Sequence, residues 1–179
     1  MAFVKYMVRE LITFTLIAIL LVIPFRIFIA QPFIVQGASM APTFHSGEYI
    51  IVDQLSYRLG EPERGDVITF RYPEDPSIFF IKRIVGLPGE TIIVDGQRII
   101  IERDGTESFE LIEPYANVSG PDLGRQVYTL GQEEYFVLGD NRPQSSDSRL
   151  WGPLPEDNIM GKAFFRVLPP TKAGLLGDV

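Results

Sequence analysis

Short runs of β-branched and aromatic residues alternate with turn residues along most of the chain. Beyond residue 30 each run is bounded by Gly, Pro, Asp or Glu, and none of them extends into a long helical period. Runs of this length and composition predict β-strands. Asp95-Gly96, which separates two of the runs, predicts a hairpin turn. The predicted strands are Tyr49–Val52, Val67–Tyr72, Ile78–Val85, Thr91–Val94, Ile99–Ile101, Tyr135–Leu138 and Lys162–Leu168.

The stretch from Asp104 to Glu134 departs from this pattern. It is more polar and less periodic, and prolines and glycines interrupt it. This composition predicts loops, and we expect a small, loop-rich insertion lobe at roughly residues 95–134. The tail Pro169–Val179 is expected to be a frayed end. Residues 31–179 are expected to form one β-rich domain around this lobe, so the predicted fold class is mainly β.

Residues 11–30 form a long apolar run at the N-terminus. Sixteen of these twenty residues are apolar, and only Arg26 is charged. A helix of twenty residues is about 30 Å long, which matches the hydrocarbon core of a bilayer. A buried core helix is disfavoured because the run has no polar face. The pattern favours an uncleaved transmembrane helix, with Arg26 near the interface and Pro24 as a kink or an end.

A cleaved signal peptide is the alternative for this run, because Lys5 and Arg9 make a positive N-terminal region. Cleavage requires small residues at −3 and −1. Cuts after Ala30 or Ala38 would each place a larger residue at −3. We therefore divide the chain into residues 1–30, an N-terminus with a transmembrane anchor, and a β-rich domain at residues 31–179.

The charges around the run predict its orientation. Lys5 and Arg9 precede it, Arg26 lies at its far edge, and the next cation is Arg58. Cytoplasmic flanks carry the excess of Lys and Arg, so the N-terminus is expected in the cytoplasm. This predicts a single-pass protein of the cell (plasma) membrane that contacts the lipid bilayer.

Composition excludes several kinds of chemistry. The chain has no Cys, which excludes disulfides, thiolate metal sites and cysteine nucleophiles. Its one histidine, His45, excludes multi-histidine metal sites and is expected in a surface turn. The net charge of −7 disfavours a general nucleic-acid binder, which needs cations to neutralise phosphates. No metal or cofactor is expected, and an enzyme of this composition would use hydroxyls, carboxylates, amines or amides.

Three segments carry polar residues that chemistry could use. Residues 37–43 (GASMAPT) taken alone are typical of a turn, and residues 139–149 (GDNRPQSSDSR) are typical of a polar surface loop. In residues 79–90, Lys82 and Arg83 interrupt an apolar strand. Side chains alternate across a strand, so one of these two cations must share a face with bulky apolar side chains.

Together the segments resemble the motifs of bacterial type I signal peptidases (leader peptidases), which are membrane-anchored Ser/Lys proteases. The resemblance covers most of the chain, and four motifs in order behind an N-terminal apolar run make it specific. The motifs are SMAPT at 39–43, GEYIIV at 47–52 with RGDVI at 64–68, IKRIVGLPG at 81–89, and GDNR at 139–142 followed by Ser145, Asp147, Ser148, Arg149 and Trp151-Gly152.

The resemblance implies a role for individual residues and a β architecture shared by signal peptidases and self-cleaving repressors. Ser39 matches the nucleophile and Lys82 the general base. Gly37 stands where some members carry a Ser that completes the oxyanion hole, so the second donor beside the Ser39 backbone N–H is left open. Gln54 stands where many members have Lys. The supporting positions are Ser145, which matches a hydroxyl that orients the Lys amine; Asp147 and Arg149, which match a salt bridge under the site; and Met40, which matches a residue packed beside the nucleophile.

A lysine acts as a base only when its amine is neutral. At the ordinary pKa of about 10.4, about one lysine in 2,500 is neutral at pH 7. Burial lowers a lysine pKa by up to ~3–5 units. Alternation places Lys82 on the strand face of Phe80 and Ile84, which would supply such burial. The sequence therefore predicts a Lys82 pKa well below the ordinary value.

The implied substrates are preproteins with signal peptides, which end in small residues at −3 and −1, of the Ala-x-Ala type. The peptide is expected to add as an extended strand beside residues 33–36 and 79–81. The implied activity is removal of N-terminal signal peptides at the outer surface of the inner membrane, through an acyl-enzyme. Anchoring would hold enzyme and cleavage site at the same height above the bilayer. Nothing in the sequence requires a dimer, so a monomer is expected.

Two other functions remain open at this point. A self-cleaving Ser/Lys repressor would share the dyad, but the apolar run and the acidic charge oppose it. An inactive, membrane-tethered binding module would be expected to have lost Ser39 or Lys82, and both are present.

Overall fold

The structure is a computed structural model that describes residues 2–28, 30–103, 107–119 and 124–176, without the side chains of Ala2, residues 21–30 and Glu107. Within these residues the fold is mainly β, and the helices after the first are single turns. The elements are α1 (Ala2–Phe28), β1 (Ala30–Ile34), β2 (Tyr49–Asp53), α2 (Ser56–Leu59), β3 (Val67–Tyr72), β4 (Asp75–Gly86), β5 (Glu90–Asp95), β6 (Arg98–Arg103), β7 (Glu107–Glu110), β8 (Arg125–Thr129), β9 (Glu134–Leu138), α3 (Ser148–Trp151), β10 (Leu154–Pro155), β11 (Ile159–Leu168) and β12 (Gly174–Leu175), with 3₁₀ turns at Arg142–Gln144, Glu156–Asn158 and Pro170–Lys172.

A large antiparallel sheet carries most of the chain. Its strand order is β1-β2-β11-β3-β4-β9-β10, and β12 pairs with β11. The two long strands, β4 and β11, hold shorter strands on both sides, and register shifts bend both of them where they pair. This arrangement brings the loop after β1, the middle of β4 and the loop after β9 to neighbouring positions.

A second antiparallel sheet has the strand order β7-β6-β5-β8. It packs against the large sheet through an apolar cluster that joins Ile92 and Ile101 of the small sheet to Phe136 and Leu138 of β9. Gly86 at the end of β4 allows the close approach, because a Cβ there would lie 2.5 Å from Ile92 Cδ1. The small sheet therefore fixes the far end of the strand that carries Lys82.

All seven predicted strands are confirmed, each within a few residues of its predicted bounds. The Asp95-Gly96 turn is confirmed as well, since Asp95 pairs with Arg98 across the β5–β6 hairpin. Gly96 has a φ of 63°, a left-handed conformation that favours glycine. Alternating β-branched residues were sufficient to locate these elements.

The prediction of loops between Asp104 and Glu134 was wrong in part, because β7 and β8 lie there. Both are edge strands of the small sheet, and β8 alternates exposed and half-buried residues. An edge strand with one solvated face needs few apolar residues, so its sequence is polar. The predicted frayed tail also needs correction, because β12 pairs with β11 through Phe165 and Leu175. Residues 177–179 of that tail, and residues 104–106 and 120–123, lie outside the described residues.

Helix α1 covers most of the predicted N-terminal span. Within its described residues the large apolar side chains are exposed to about half or more of their surface, Phe3 to 75% and Leu20 to 68%. No helix in the described ranges combines the length and hydropathy needed to cross a membrane. The predicted transmembrane span is therefore not confirmed, and the side chains of its second half, residues 21–30, lie outside the described residues.

Candidate active site

Ser39 lies in the loop that joins β1 to β2. The base of this loop is closed by two backbone hydrogen bonds, from Val35 N–H to the Glu48 carbonyl and from Gly47 N–H to the Val35 carbonyl, both 2.9 Å. The Ser39 carbonyl accepts a hydrogen bond of 2.9 Å from the Asn141 N–H. The nucleophile candidate is therefore held from both sides by backbone contacts.

The loop after β9 packs directly on the Ser39 loop. Asn141 donates its side-chain amide to the Ala38 carbonyl at 3.0 Å, beside its backbone contact to Ser39. Gly139 makes this packing sterically possible: a Cβ at that position would lie 2.5 Å from the Ser39 carbonyl oxygen and 2.2 Å from Ser145 Oγ. Contacts that short are repulsive, so the sequence Gly139-Asp140-Asn141 fixes the distance between the two loops.

Lys82 reaches Ser39 from the neighbouring strand β4. Its Nζ lies 2.9 Å from Ser39 Oγ and 2.9 Å from the Ile81 carbonyl oxygen. The residue is 4% exposed, and the Phe80 ring lies 5.1 Å from Nζ. A distance of 2.9 Å is within the hydrogen-bond reach needed between a nucleophile and its base.

Burial lowers the pKa of Lys82 from 10.5 to about 8. The cause is loss of hydration of the ammonium form, and the carboxylates of Asp147 and Asp140 act in the opposite direction. At a pKa of about 8, about one amine in eleven is neutral at pH 7, against about one in 3,000 at the ordinary value. The prediction of a depressed Lys82 pKa agrees with this environment.

Asp147 and Arg149 form an ion pair beneath the two loops. Arg149 Nε lies 2.7 Å from Asp147 Oδ1, and its Nη2 lies 2.9 Å from Oδ2. Asp147 also accepts the Gly139 N–H at 3.1 Å. The Asp147 side chain is fully buried and that of Arg149 is 10% exposed. The pair is therefore a buried contact that holds the β9 loop, not the surface salt bridge that residues 139–149 alone would suggest.

Ser145 and Met40 lie close to the dyad but make different contacts. Met40 is 1% exposed and belongs to the apolar cluster under the Ser39 loop. Ser145 Oγ is buried and has no hydrogen-bond partner within the described residues. The hydrogen bond expected between Ser145 and the Lys82 amine is thus not formed in this structure.

A buried charge network beside Lys82 was not predicted from the sequence. Arg83, 1% exposed, donates to both carboxylate oxygens of Asp140 at 3.0 and 2.8 Å. Thr43 donates to the same carboxylate at 2.5 Å, and the Arg83 guanidinium lies 3.9 Å above the Tyr115 ring. The network ties β4 to both loops of the site. The signal in the sequence was the adjacency of two cations in one apolar strand, which required a buried partner for Arg83.

An open cleft of about 580 Å³ leads to the dyad, and we call it the Ser39 cleft. One wall is the β1 segment and the other is the first half of β4, so two strand edges face each other across it. Its lining is mostly apolar, and its polar residues include Thr69, Ser77 and Ser146 as well as Ser39 and Lys82. The residues that line it include Phe33, Ser39, Ile50, Thr69, Phe79, Ile81, Lys82 and Gln144.

The remaining titratable groups of the described residues are not arranged as a metal site. Among the described residues, no group of three or more His, Asp and Glu side chains is placed to hold a metal ion. The side chain of His45 is 53% exposed and lies 3.6 Å from Glu48, away from the residues that line the cleft. Hydroxyl and amine are therefore the reactive groups that this geometry brings together.

A sequence profile of the family described as signal peptidase, peptidase S26, matches residues 8–168. The probable signal peptidase I-1 of Synechocystis is 36% identical over 96% of this chain and 88% of its own length. The signal peptidase I of Leptolyngbya laminosa is 36% identical over 90% of this chain and 80% of its own length. A crystal structure of a signal peptidase I from Enterococcus faecalis aligns with 57% of this chain and 97% of that chain, at 29% identity and a TM-score of 0.47.

The profile and the two relatives each cover far more than half of the chain, and they include both loops and the strand that carry Ser39 and Lys82. The chain belongs to the signal peptidase family, peptidase S26.

Proposed function

We propose that this serine endopeptidase removes signal peptides from preproteins with Ser39 as nucleophile and Lys82 as general base. The observation that carries the proposal is the 2.9 Å contact between Lys82 Nζ and Ser39 Oγ in a buried setting. Serine hydroxyl is a weak nucleophile until a base takes its proton. Membership of the signal peptidase family supports preproteins as the substrates, and the buried amine beside Ser39 supports Lys82 as the general base.

The reaction begins with neutral Lys82. Its lone pair takes the Ser39 Oγ proton while Oγ attacks the carbonyl carbon of the −1 residue, and the resulting ammonium then protonates the leaving amine of the mature protein. An ester between Ser39 and the signal peptide remains. Lys82, neutral again, deprotonates a water that attacks this ester, which frees the signal peptide and returns the proton to Ser39. The Ser39 backbone N–H donates to the oxyanion in both steps.

The supporting residues hold this geometry. Asp147 and Arg149 fix the β9 loop through the Gly139 N–H, and that loop in turn holds the Ser39 carbonyl through Asn141. Met40 fills the apolar space below the nucleophile. The hydroxyl of Ser145 has no hydrogen-bond partner and lies near the Ser39 carbonyl. It is available to orient the Lys82 amine once substrate displaces that amine from the Ile81 carbonyl.

The Ser39 cleft suits an extended peptide with small side chains. Strand edges on both walls, Phe33 on β1 and Phe79 on β4, offer backbone groups to a third strand between them. Alternate side chains of an extended peptide lie on the same side, so residues −1 and −3 would enter the cleft floor together. The apolar lining favours Ala over charged residues at these positions.

We propose in addition that α1 anchors the enzyme in the membrane, N-terminus in the cytoplasm and residues 31–179 outside it. Exposed apolar side chains along its described length, such as Phe14 (68%) and Leu11 (69%), would be unfavourable in water and favourable in lipid. Lys5 and Arg9 support the orientation. Alkaline carbonate extraction should leave the full chain in the membrane pellet and release a chain that starts at residue 31; release of both would contradict the anchor.

A cleavage assay tests the catalytic proposal. Full-length enzyme in detergent is given a preprotein with Ala at −1 and −3, and the products are separated by mass. Ser39→Ala and Lys82→Ala should each lower kcat by about 10⁴ or more, as loss of a nucleophile or its base does. Ser119→Ala and Lys172→Ala, which change exposed residues outside the cleft, are the matched controls and should cleave at the wild-type rate. Wild-type rates for both dyad variants would contradict the assignment.

A further inference from the structure

Thr69 on β3 carries a buried hydroxyl that the described part of the chain does not satisfy. The residue is 3% exposed, its Oγ1 has no hydrogen-bond partner, and it lines the Ser39 cleft. Nearly all buried polar groups in folded proteins are hydrogen-bonded. A hydroxyl of this kind at the floor of a binding cleft is therefore a candidate for contact with the molecule that enters the cleft.

The surroundings of Thr69 are apolar. Across the β3–β4 pair it faces Ile81, and on the other side of the cleft Phe33 faces Ile50 across the β1–β2 pair. Phe33, Ile50 and Ile81 belong to one apolar cluster, and Ile50 is 1% exposed. A side chain that reaches this part of the cleft would meet hydrocarbon on several sides and one hydroxyl.

The register of the sheet indicates which substrate residue comes near Thr69. The −1 carbonyl must lie at Ser39 and Lys82, and Lys82 pairs with Ile68 of β3. The next pair along the sheet, Thr69 with Ile81, lies on the side of Lys82 that leads to Phe79, whose ring is 5.9 Å from that of Phe33. In an extended peptide the −2 side chain lies on the opposite side from −1, so the −3 side chain is the first one beyond −1 that enters the cleft. The −3 side chain is therefore the one expected at Thr69.

We propose that the Thr69 hydroxyl is a specificity determinant that accepts a hydrogen bond from, or donates one to, a hydroxyl-bearing side chain at −3. The inference rests on the proposed signal-peptide cleavage and deepens it by naming the preferred chemistry at one substrate position. An apolar site binds Ser as well as Ala only if the buried Ser hydroxyl finds a hydrogen-bond partner there, and the Thr69 hydroxyl is such a partner. Thr69 thus shifts the balance at −3 toward Ser.

The test compares wild type with Thr69→Val, which removes the hydroxyl and keeps the shape. Three synthetic signal-peptide substrates are used, with Ala at both −3 and −1, with Ser at −3, and with Ser at −1, and kcat/KM is measured for each. The Ser-to-Ala ratio at −3 should be about five-fold higher for wild type than for Thr69→Val, which corresponds to about 1 kcal/mol at 1.4 kcal/mol per tenfold. The Ser-to-Ala ratio at −1 should be the same for both enzymes.

Two controls make the outcomes distinct. Thr129→Val makes the same chemical change at an exposed position of β8 and should leave both ratios at wild-type values. Circular dichroism and thermal unfolding of Thr69→Val should match those of the wild type, which shows that the variant folds. Equal −3 ratios in wild type and Thr69→Val, or a change confined to −1, would overturn the inference. No cleavage of any substrate by wild type would instead contradict the proposed function.

Discussion

The rate of cleavage should rise with pH through the pKa of Lys82. Only the neutral amine can take the Ser39 proton, so activity follows the deprotonated fraction of this one residue. The amine lies 2.9 Å from Ser39 Oγ and is 4% exposed, and its pKa is lowered to about 8 by burial. We therefore expect kcat/KM to show an acid limb with a midpoint near pH 8 and a plateau above it.

The expected size follows from the titration of one group. At pH 7 about 9% of the amines are neutral and at pH 6 about 1%, so each unit of pH below the midpoint lowers kcat/KM about tenfold. With the ordinary pKa of 10.5, the same limb would continue upward to about pH 10. The two cases differ by more than a hundredfold in the rate at pH 7 relative to the plateau.

The assay uses full-length enzyme in detergent and a peptide substrate without titratable side chains, between pH 5.5 and 10.5. The kcat/KM profile reports the pKa values of the free enzyme, so substrate binding does not displace the midpoint. Circular dichroism at each pH confirms that the fold persists over the range. A midpoint above pH 10, or a flat profile from pH 6 upward, would refute the assignment of Lys82 as a buried base.

Two further predictions follow from the same geometry. Lys82→Met should raise the free energy of unfolding at pH 7 by up to about 3 kcal/mol, because the Lys82 pKa is about 2.5 units lower in the folded state than in the unfolded state, and folding must remove a proton or bury a charge. Chemical denaturation should show this difference in stability shrinking between pH 8 and 10.5. A difference that does not depend on pH would contradict the prediction. Gly139→Ala should lower kcat about a hundredfold. The new Cβ would lie 2.5 Å from the Ser39 carbonyl oxygen, which is too close, so Ser39 must move from its position. Gly174→Ala, which meets no atom within 4 Å, is the control, and equal kcat for the two variants would count against this explanation.

The strands that the sequence predicted are the ones that carry the core. β3 and β5 place β-branched residues such as Ile68 and Ile92 in fully buried positions, and their runs of such residues are visible without coordinates. The strands that the sequence did not predict are β1, β10 and β12 of the large sheet, and β7 and β8, which border the small sheet. β8 alternates exposed and half-buried residues and the described side chains of β7 are exposed, so polar residues suit both strands. β8 pairs with β5, a strand distant in sequence, and no local pattern records that pairing.

Ser39 and Lys82, the proposed catalytic pair, were selected by motif, but the contacts around them were not predicted. Arg83 and Asp140 are 57 residues apart, and their bond depends on how β4 and β9 pair in the folded sheet. The Thr69 hydroxyl likewise belongs to a strand that the sequence located correctly, yet its place at the floor of the cleft follows from the neighbours of β3. Motifs locate chemical groups along a chain, while tertiary pairing determines their environments.

Lys82 and Arg83 are adjacent on β4, and each is buried in a different electrostatic environment. Alternation sends them to opposite faces, and both are nearly inaccessible to solvent. Asp140 neutralises Arg83 with two hydrogen bonds, and a guanidinium stays charged in any case. In the part of the chain that the structure describes, no carboxylate lies within 4.0 Å of Lys82 Nζ, and burial lowers the pKa of the amine to about 8, which raises its neutral fraction. Arg83 is thus held in an ion pair on one face of the strand, while on the other face the amine of Lys82, which loses its proton more readily than an ordinary lysine, contacts Ser39.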